Sequence, residues 1–463
     1  MTYQPEINTP KFCDIGETIY ALSSGMGVAG VAVVRISGEG SFLALEILSN
    51  KNIPAFRLAV RRDLSDPDTG ARLDQALVIS FKAPASFTGE DVVELHLHGG
   101  RSVVAGVLEA LSKMDGLRPA EAGEFSRRAF ENGKLDLTEA EGLNDLIHAQ
   151  TAAQREQALR QMDGALKVLY EGWRSRLVGH LAHLEADIDF PDEDLPEGIA
   201  GAILPKILSL NDEITQYLVD NRRGQALRDG YRIVILGEPN AGKSTLLNAL
   251  AKSDVAIVSD EEGTTRDALE VALDLGGYPV RLIDTAGLRE AEGQVEKEGI
   301  RRARSKAEDA DLKLILIRAD EWPAIPDAML EWVDDGSIIV VTQTDRVEMF
   351  HVKHQNVPQG VCNWVSISMK ESEGLSDLFI LLERRVSEAM APREVPSLTR
   401  IRHRHALEVC VDHLSRFAEN AGVDAVLASE DIRMAARALG RITGRVGVED
   451  MLDIVFSDFC IGK

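Results

Sequence analysis

Short apolar runs and helically spaced segments alternate over residues 1 to about 130. Strand-like runs rich in apolar and β-branched residues occur at ETIYALSS, GVAVVRISG, QALVISF and DVVELHLHG. Apolar residues spaced three and four apart, which are typical of amphipathic helices, occur in GSFLALEILSN and RSVVAGVLEALSKM. The mixture predicts an α+β domain at residues 1–130.

From Pro119 onwards the apolar spacing becomes predominantly helical. The stretch ALKVLYEGWRSRLVGHLAHLEADI carries an apolar stripe that we interpret as the seam of a helical bundle. The tail, residues 400–463, is helical again. We therefore predict an all-α domain in two segments, 131–226 and 389–463, with another domain inserted between them.

Residues 227–388 alternate strand-like runs with helical stretches, the layout of a doubly wound α/β domain. Just beyond this domain, the two prolines of APREVPSLTR indicate a linker. The predicted fold class is therefore multidomain, with an N-terminal α+β domain, a two-segment helical domain and an inserted α/β domain. The strands of the inserted domain are predicted at Arg232–Leu236, Val280–Ile283, Leu312–Ile317, Ile338–Val341 and Trp364–Ile367.

A glycine-rich loop, GEPNAGKST at Gly237–Thr245, joins the first α/β strand to a helical stretch. This order of elements is typical of a P-loop, whose inward N–H groups and helix dipole bind phosphates. We expect Lys243 to reach the β- and γ-phosphates and the Ser244 hydroxyl to bind Mg²⁺. The predicted nucleotide contacts of the loop are Asn240, Ala241, Gly242, Lys243, Ser244 and Thr245.

Two further motifs follow in the chain order of a GTPase. The motif DTAG directly follows the predicted strand Val280–Ile283. Its Asp284 suits the Mg²⁺ shell, and its Gly287 is free to contact the γ-phosphate. The switch-like loop GTTRD lies before it, and its Thr265 can complete the metal shell. The nucleotide-binding residues predicted from these two motifs are Thr264, Thr265, Asp284, Thr285, Ala286 and Gly287.

The sequence TQTD at residues 342–345 stands where a guanine site usually reads Asn-Lys-x-Asp. Asp345 can accept two hydrogen bonds from the guanine edge, a contact that adenine does not offer. Thr342 and Gln343 replace the usual Asn and Lys, and we expect this replacement to weaken guanine affinity. Ser368 and Lys370 fit a second base-contacting loop, so GTP is favoured over ATP.

Ras-like GTPases place a water-orienting Gln directly after the DxxG glycine, where this chain has Leu288. A leucine cannot orient water, so another group must take part in hydrolysis. The residues alone do not select among the downstream carboxylates Glu290, Glu292, Glu296 and Glu298.

A second candidate site lies in the N-terminal domain. The alternation in VELHLH places Glu94, His96 and His98 on one face of a strand. A polar ligand pocket suits this face better than a metal site, and a plain solvated face is the competing interpretation.

Composition limits which partners the protein can bind and which cellular compartment it is expected in. The 463 residues carry a formal net charge of −24, so any contact with nucleic acid needs a local basic patch. The four cysteines lack CxxC spacing, which argues against a zinc site or a disulfide scaffold. Because neither a signal peptide nor an apolar run of about 20 residues is apparent, we predict a cytoplasmic protein without a membrane span.

The chain resembles the MnmE (TrmE) family of tRNA-modifying GTPases in GEPNAGKST, EEGTTRD, DTAGLRE and its last four residues, CIGK. The resemblance extends outside the α/β domain to FTGEDVVELHLHGG, GEFSRRAFENGKLDLTEAEG and DFPDE. It implies a folate-binding and dimerisation domain, a helical domain and an inserted GTPase domain. It further implies a homodimer that forms a heterotetramer with the FAD-dependent protein MnmG (GidA). Together they would add an aminomethyl or carboxymethylaminomethyl group to the wobble uridine of certain tRNAs.

The resemblance also assigns catalytic roles. It implies that GTP brings two GTPase domains together with K⁺ bound between them, coordinated by Asn240 and by a loop containing Ser259, Glu261 and Thr264. The cation would supply the positive charge that an arginine finger supplies elsewhere. Among the open carboxylates, the resemblance selects Glu296 as the one that activates water.

A pocket for 5-formyl- or methylene-tetrahydrofolate is implied in the same way, formed by Arg35, Glu94, Lys134 and Lys463. Cations suit the glutamate tail of folate, and a carboxylate can pair with the donors of the pterin ring. Cys460 has two interpretations: a nucleophilic or redox role, or buried packing on neighbouring phenylalanines.

Two other classes of function are weighed against this one. An assembly GTPase of the Era/Der kind would bind RNA without modifying it, and it would need neither the folate residues nor the CIGK end. A P-loop protein without turnover would need neither Glu296 nor Asn240. The candidate arginines for tRNA contact are Arg433, Arg437 and Arg441, at helical spacing, with a solvated face as the alternative.

Overall fold

The computed structural model describes residues 17–189, 199–219, 222–253, 255–257, 270–284, 307–348, 363–391, 395–421, 423–447, 449–457 and 459–462. The first elements are β1 (Thr18–Leu22), β2 (Ala29–Ser37), α1 (Ser41–Ser49), β3 (Val60–Ser65), β4 (Arg72–Phe81), β5 (Val92–Gly99), α2 (Arg101–Ser112), β6 (Leu117–Pro119), α3 (Glu124–Glu131) and α4 (Leu137–Ile147). Four helices follow: α5 (Ala152–Met162), α6 (Ala165–Asp189), α7 (Ile199–Val219) and α8 (Arg222–Asp229).

The remaining elements begin with a second set of strands. These strands and the two helices described among them are β7 (Tyr231–Gly237), α9 (Lys243–Ala251), β8 (Glu270–Leu275), β9 (Tyr278–Asp284), β10 (Leu312–Arg318), α10 (Asp327–Leu330), β11 (Ser337–Thr342) and β12 (Trp364–Ser366). The last helices are α11 (Leu375–Met390), α12 (Ile401–Asn420), α13 (Ala425–Thr443) and α14 (Glu449–Ser457). The chain divides into two compact units, Met1–Asn144 with Gly440–Lys463, and Asp145–Leu439.

The first unit is built on a six-stranded sheet in the order β3-β4-β5-β2-β1-β6. The predicted alternation in β5 buries Val93, Leu95 and Leu97 in one core with residues of α1 and α2. Glu94 and His96 lie on the opposite face. Residues Gly440–Lys463 belong to the same unit, and Phe456 of α14 packs there in a cluster with Leu137 of α4.

The four strands predicted in the first unit are confirmed, but β3 and β6 were not predicted. In β3, the sequence VRRDLS has charged residues at three of six positions, and only Leu64 is fully buried. Its polarity reflects its place at the edge of the sheet. The strand β6 has only three residues, too few to produce an alternating pattern.

In the second unit, a six-stranded sheet has the order β12-β11-β10-β7-β9-β8. The five predicted strands β7, β9, β10, β11 and β12 are parallel, as expected for a doubly wound α/β domain. All six residues of β11 are buried, which explains its continuous apolar run. The antiparallel edge strand β8 was not predicted.

The helices of the second unit pack on an aromatic seam, as predicted from the apolar stripe in α6. Trp173 and Tyr170 of α6 contact Tyr217 of α7, with ring centroids 5.3 and 6.4 Å apart. Tyr170 also meets the buried His403 of α12 edge-on. With an α+β unit, a helical bundle and a doubly wound sheet, the predicted fold class is confirmed.

None of the helices in the described part of the chain combines the length and the apolar character needed to cross a bilayer.

Candidate functional site

The P-loop folds as a strand, a loop and a helix, with backbone that only certain residues tolerate. Gly237 ends β7 at a φ of +154°, where an added Cβ would lie 2.8 Å from the carbonyl oxygen of Leu316. Asn240 and Gly242 also have positive φ values, 64° and 92°, and Gly242 immediately precedes α9. The loop therefore turns its backbone around the N-terminus of α9, the geometry required for binding phosphates.

Lys243 is the first residue of α9 and is 7% exposed. Its ammonium group donates hydrogen bonds to the carbonyl oxygens of Gly237 and Glu238, both at 2.8 Å. The side chain therefore folds back over the loop that is to surround the phosphates. This places a positive charge where the predicted β- and γ-phosphates would lie.

The predicted Mg²⁺ ligands meet at the same point. The Ser244 hydroxyl donates to Oδ2 of Asp284 at 3.1 Å, and Asp284 is fully buried at the end of β9. A hydroxyl and a carboxylate are hard oxygen ligands of the kind that Mg²⁺ prefers. The pair therefore fits the metal, with Ser244 as a direct ligand and Asp284 in its shell.

Residues 342–345, predicted to contact the guanine base, are called the base loop here. Thr342 and Gln343, which stand where Asn and Lys are usual, both contact the P-loop. The buried Thr342 hydroxyl donates to the carbonyl oxygen of Ala241 at 2.8 Å. The side-chain amide of Gln343 donates to the carbonyl oxygen of Asn240, also at 2.8 Å. The sequence predicted only that these replacements weaken guanine affinity, yet both side chains connect the base loop to the P-loop by hydrogen bonds.

Asp345, the residue predicted to recognise the base, is held by a neighbouring side chain. Its Oδ1 accepts a hydrogen bond from the buried Ser368 hydroxyl at 2.9 Å, while Asp345 itself is exposed. The predicted contacts Asp345 and Ser368 are therefore brought together. Lys370 lies on the loop after Ser368 and is 75% exposed, with Glu371 3.8 Å away.

Several predicted residues of the nucleotide site lie outside the described part of the chain. They are Ser259, Glu261, Thr264, Thr265, Thr285, Ala286, Gly287 and Glu296.

A second site forms on the open face of the first sheet. The register of β2 and β5 sets Arg35 directly opposite Glu94, and the two side chains form an ion pair at 3.0 Å. The guanidinium carbon lies 5.1 Å from the ring centroid of Phe87 and 5.5 Å from that of Phe125. The competing interpretation of the β5 face, a solvated face, is wrong at Glu94, whose side chain is only 19% exposed, and its partner Arg35 is only 14% exposed.

A network of ion pairs fixes the loop that carries Phe87. Glu90 accepts from the Ser37 hydroxyl at 2.7 Å and pairs with Arg128 at 3.1 Å. Arg128 also pairs with the buried Glu124, which Arg118 contacts at 2.7 Å. Burial acts to raise the pKa of Glu124, but hydrogen bonds from Arg118 and a backbone N–H outweigh it and hold the pKa below its usual value.

Lys134 lies against the same loop. An added Cβ on Gly89, whose φ is +82°, would meet Cε of Lys134 at 3.3 Å. The loop that contains Phe87 and Gly89 therefore brings together three predicted residues: Arg35, Glu94 and Lys134. Phe87 and Phe125 were missed because an aromatic residue in sequence signals a core position as readily as a ligand contact.

The C-terminal motif lies beside β1, the strand paired with Arg35. Gly462 has a φ of +98°, and an added Cβ would lie 2.1 Å from the carbonyl oxygen of Leu22. Ile461 bridges to Ala122. Cys460 is exposed, so of its two interpretations the buried packing on phenylalanines is wrong. Lys463 lies outside the described residues.

The metal alternative on β5 receives no support. No group of three or more His, Cys, Asp or Glu side chains suited to a metal occurs within the described ranges. His98 instead pairs with Asp74 at 2.7 Å. The nearest acid to His96 Nε2 is Glu94, at 3.5 Å.

The candidate arginines for tRNA contact lie on α13 and are exposed. Arg433 forms ion pairs with Glu185 and Glu430. Those acidic partners reduce the local positive charge, so the solvated-face alternative stays open for this residue.

Matches to known proteins cover residues of both candidate sites. The profile described as "GTP-binding protein TrmE N-terminus" matches residues 18–134, and "MnmE helical domain" matches residues 137–460. The tRNA modification GTPase MnmE of Parvibaculum lavamentivorans is 54% identical over 96% of this chain and 100% of its own length. The human mitochondrial 5-taurinomethyluridine-tRNA synthase subunit GTPB3 is 46% identical over 97% of this chain and 94% of its own length.

Among solved structures, Aquifex aeolicus Era bound to GDP and aluminium fluoride is 24% identical. It covers 39% of this chain and 66% of that chain, with a TM-score of 0.27. Assignment therefore depends on the sequence matches, which cover both the first unit and the P-loop of the second. On those matches, the chain belongs to the MnmE (TrmE) family.

Proposed function

We propose that this chain is a K⁺-activated GTPase that acts on tRNA as a homodimer together with the FAD-dependent protein MnmG. The pair would install an aminomethyl or carboxymethylaminomethyl group on the wobble uridine of certain tRNAs. The carbon would come from a 5-formyl- or methylene-tetrahydrofolate, and GTP hydrolysis would drive the conformational cycle. The proposed domains are those predicted from sequence, at 1–130, 131–226, 227–388 and 389–463.

The observation that carries the GTPase part is the meeting of Lys243, Ser244 and Asp284 at one end of the α/β sheet. A lysine within 2.8 Å of the loop carbonyls and a hydroxyl 3.1 Å from a buried carboxylate match the needs of a Mg²⁺-bound triphosphate. Bound Mg²⁺ would neutralise charge on the β- and γ-phosphates. Glu296 is the proposed water-activating residue.

The proposal of K⁺ activation depends on Asn240. Asn240 is exposed, so a second nucleotide domain can approach it. Gln343 anchors the backbone carbonyl of the same residue. Bound K⁺ would add positive charge beside the phosphates, in place of an arginine finger.

A dimer through the first unit is supported by apolar residues on its surface. Met26, Val28 and Val31 are 92%, 82% and 56% exposed. A run of exposed apolar side chains of this kind is typical of a protein–protein contact.

The folate part of the proposal follows from the Arg35–Glu94 pair. Its guanidinium lies near two aromatic rings, Phe87 and Phe125, and Lys134 approaches the same loop. A carboxylate, two cations and the partly exposed ring of Phe87 suit a ligand with a flat heterocycle and an acidic tail. The one-carbon transfer itself is assigned to no residue, and Cys460 is a candidate because it is exposed.

Mass spectrometry of wobble uridines in cells that lack this chain tests the whole proposal. The modified uridine should be absent, return with the wild-type gene and fall at least about tenfold with Arg35→Ala, since an ion pair within the pocket is lost. Arg61→Ala, on the exposed edge strand β3, is the matched control and should restore modification fully. Modification that persists without the chain would contradict the proposal.

Replacing Na⁺ by K⁺ should raise the GTPase rate by about 10²-fold, because a cation beside the γ-phosphate stabilises charge in the transition state. Initial rates at equal ionic strength measure the effect. Asn240→Ala should lose the K⁺ response and keep its rate in Na⁺. Equal rates in the two salts would remove the cation from the mechanism.

A further inference from the structure

A cavity of about 70 Å³ lies within the second unit, and none of the predicted nucleotide-binding residues lines it. It is partly open to solvent and is lined by residues of α5, α6, α8 and β9, by Met390 at the end of α11 and by Pro396 and Ser397. Leu166, Leu227 and Met390 give it apolar walls, while Gln157, Arg223 and Ser397 supply polar groups. By the space that a buried water needs, this volume holds a few waters or one small anion.

Arg223 is the unusual member of this lining. Its Nη2 is shielded from solvent and has no hydrogen-bond partner, and no ion pair of Arg223 occurs within the described residues. Glu156, a carboxylate that also lines the cavity, is exposed and forms no bond with it. Burial lowers the pKa of the guanidinium, as expected for a cation without a compensating carboxylate.

We propose that this cavity binds a small oxyanion, a carboxylate or phosphate group, through the Arg223 guanidinium. The planar fork of arginine matches two oxygens of such a group better than it matches a spherical halide. The Ser397 hydroxyl also lines the cavity and can donate to the anion, as can the second N–H of the Gln157 amide, whose nitrogen already donates to Oε1 of Gln161 at 3.2 Å. The apolar walls then suit a short hydrocarbon part attached to the acidic group.

The position of the cavity gives the ligand a mechanical role. The helix α8 leads into β7 of the α/β sheet, and the segment through Ser397 leads out of α11 towards α12. Both connections are already held by one carboxylate, since Asp145 pairs with Arg228 at 3.3 Å and Arg400 at 2.7 Å. An oxyanion between Arg223 and Ser397 would fasten the same two connections a second time.

The test is isothermal titration of the full-length chain with sodium phosphate or sodium acetate in chloride buffer. A non-hydrolysable GTP analogue with Mg²⁺ occupies the P-loop throughout, so that added phosphate cannot bind there. We expect one saturable site for at least one of the two anions. Its affinity should fall at least tenfold in Arg223→Gln and only a few-fold in Arg223→Lys.

Arg155→Gln, an exposed arginine on α5 that does not line the cavity, is the matched control and should bind like the wild type. Saturation with phosphate alone would identify the ligand as a phosphate compound, and saturation with acetate would identify a carboxylate. Neither anion binding, or equal affinity in Arg223→Gln, would overturn the proposal and leave a merely hydrated cavity. If Arg223→Gln does not fold, a selenate-soaked wild-type crystal decides by the presence or absence of anomalous density beside Arg223.

Discussion

Lys243→Ala is expected to lower the GTP turnover number by at least about 10²–10³-fold, because it removes a preorganised positive charge aimed at the transferring phosphoryl group. The substitution also deletes both hydrogen bonds that hold the loop at Gly237 and Glu238. GTP affinity should therefore fall together with turnover. Single-turnover hydrolysis at saturating GTP separates the two effects.

The control for this prediction is Lys252→Ala. Lys252 directly follows α9, so it shares the helix but is exposed and distant from the loop. Its removal should leave turnover within about twofold of wild type, as expected for a surface charge. Wild-type turnover in Lys243→Ala would mean that the loop does not bind the triphosphate.

The P-loop region could be predicted well from sequence because its chemistry is local. Nine consecutive residues contain both the glycines that the backbone requires, Gly237 and Gly242, and the functional side chains that directly follow them, Lys243 and Ser244. The five parallel strands could be predicted equally well from sequence, because buried parallel strands are continuous apolar runs. The edge strands β3 and β8 were missed because half-exposed strands need not carry such runs.

The second site could be predicted only in part, because it is assembled across strands. Arg35 and Glu94 are 59 residues apart in sequence, and only the register of β2 with β5 makes them partners. Their aromatic neighbours come from a loop and from α3. Nothing in the sequence pattern distinguishes Phe125, which is fully buried, from an ordinary core residue.

The base loop shows why departures from a motif need a structure. In the sequence, Thr342 and Gln343 appear only as the absence of the usual Asn and Lys. In the folded chain, the Thr342 hydroxyl reaches Ala241 and the Gln343 amide reaches Asn240. The replacements thus retain the attachment of base loop to P-loop, while the aliphatic stem and charge of the usual lysine are lost. We infer that any weakening of guanine affinity originates in that lost lysine and not in a displaced loop.

Asp345→Asn should exchange GTP for xanthosine triphosphate as the preferred nucleotide. The guanine edge presents two donors, N1–H and the 2-amino group, which a carboxylate accepts and an amide cannot accept in full. Ser368 donates to Oδ1 at 2.9 Å, so in the variant the amide oxygen should stay on Ser368. The amide nitrogen then faces the base, where xanthine carries an oxygen in place of the amino group.

We expect GTP affinity to fall about 10²–10³-fold and xanthosine triphosphate to bind at least tenfold better than GTP, since an unmatched polar pair in a base site is costly. Displacement of a fluorescent GDP analogue by each nucleotide measures both constants. Glu348→Gln, an exposed carboxylate three residues further along the same loop, is the control and should keep the preference for GTP. Unchanged GTP affinity in Asp345→Asn would show that guanine is recognised elsewhere, and since Asp345 is the one residue of the usual motif that this chain retains, selection of GTP over ATP would then need another explanation.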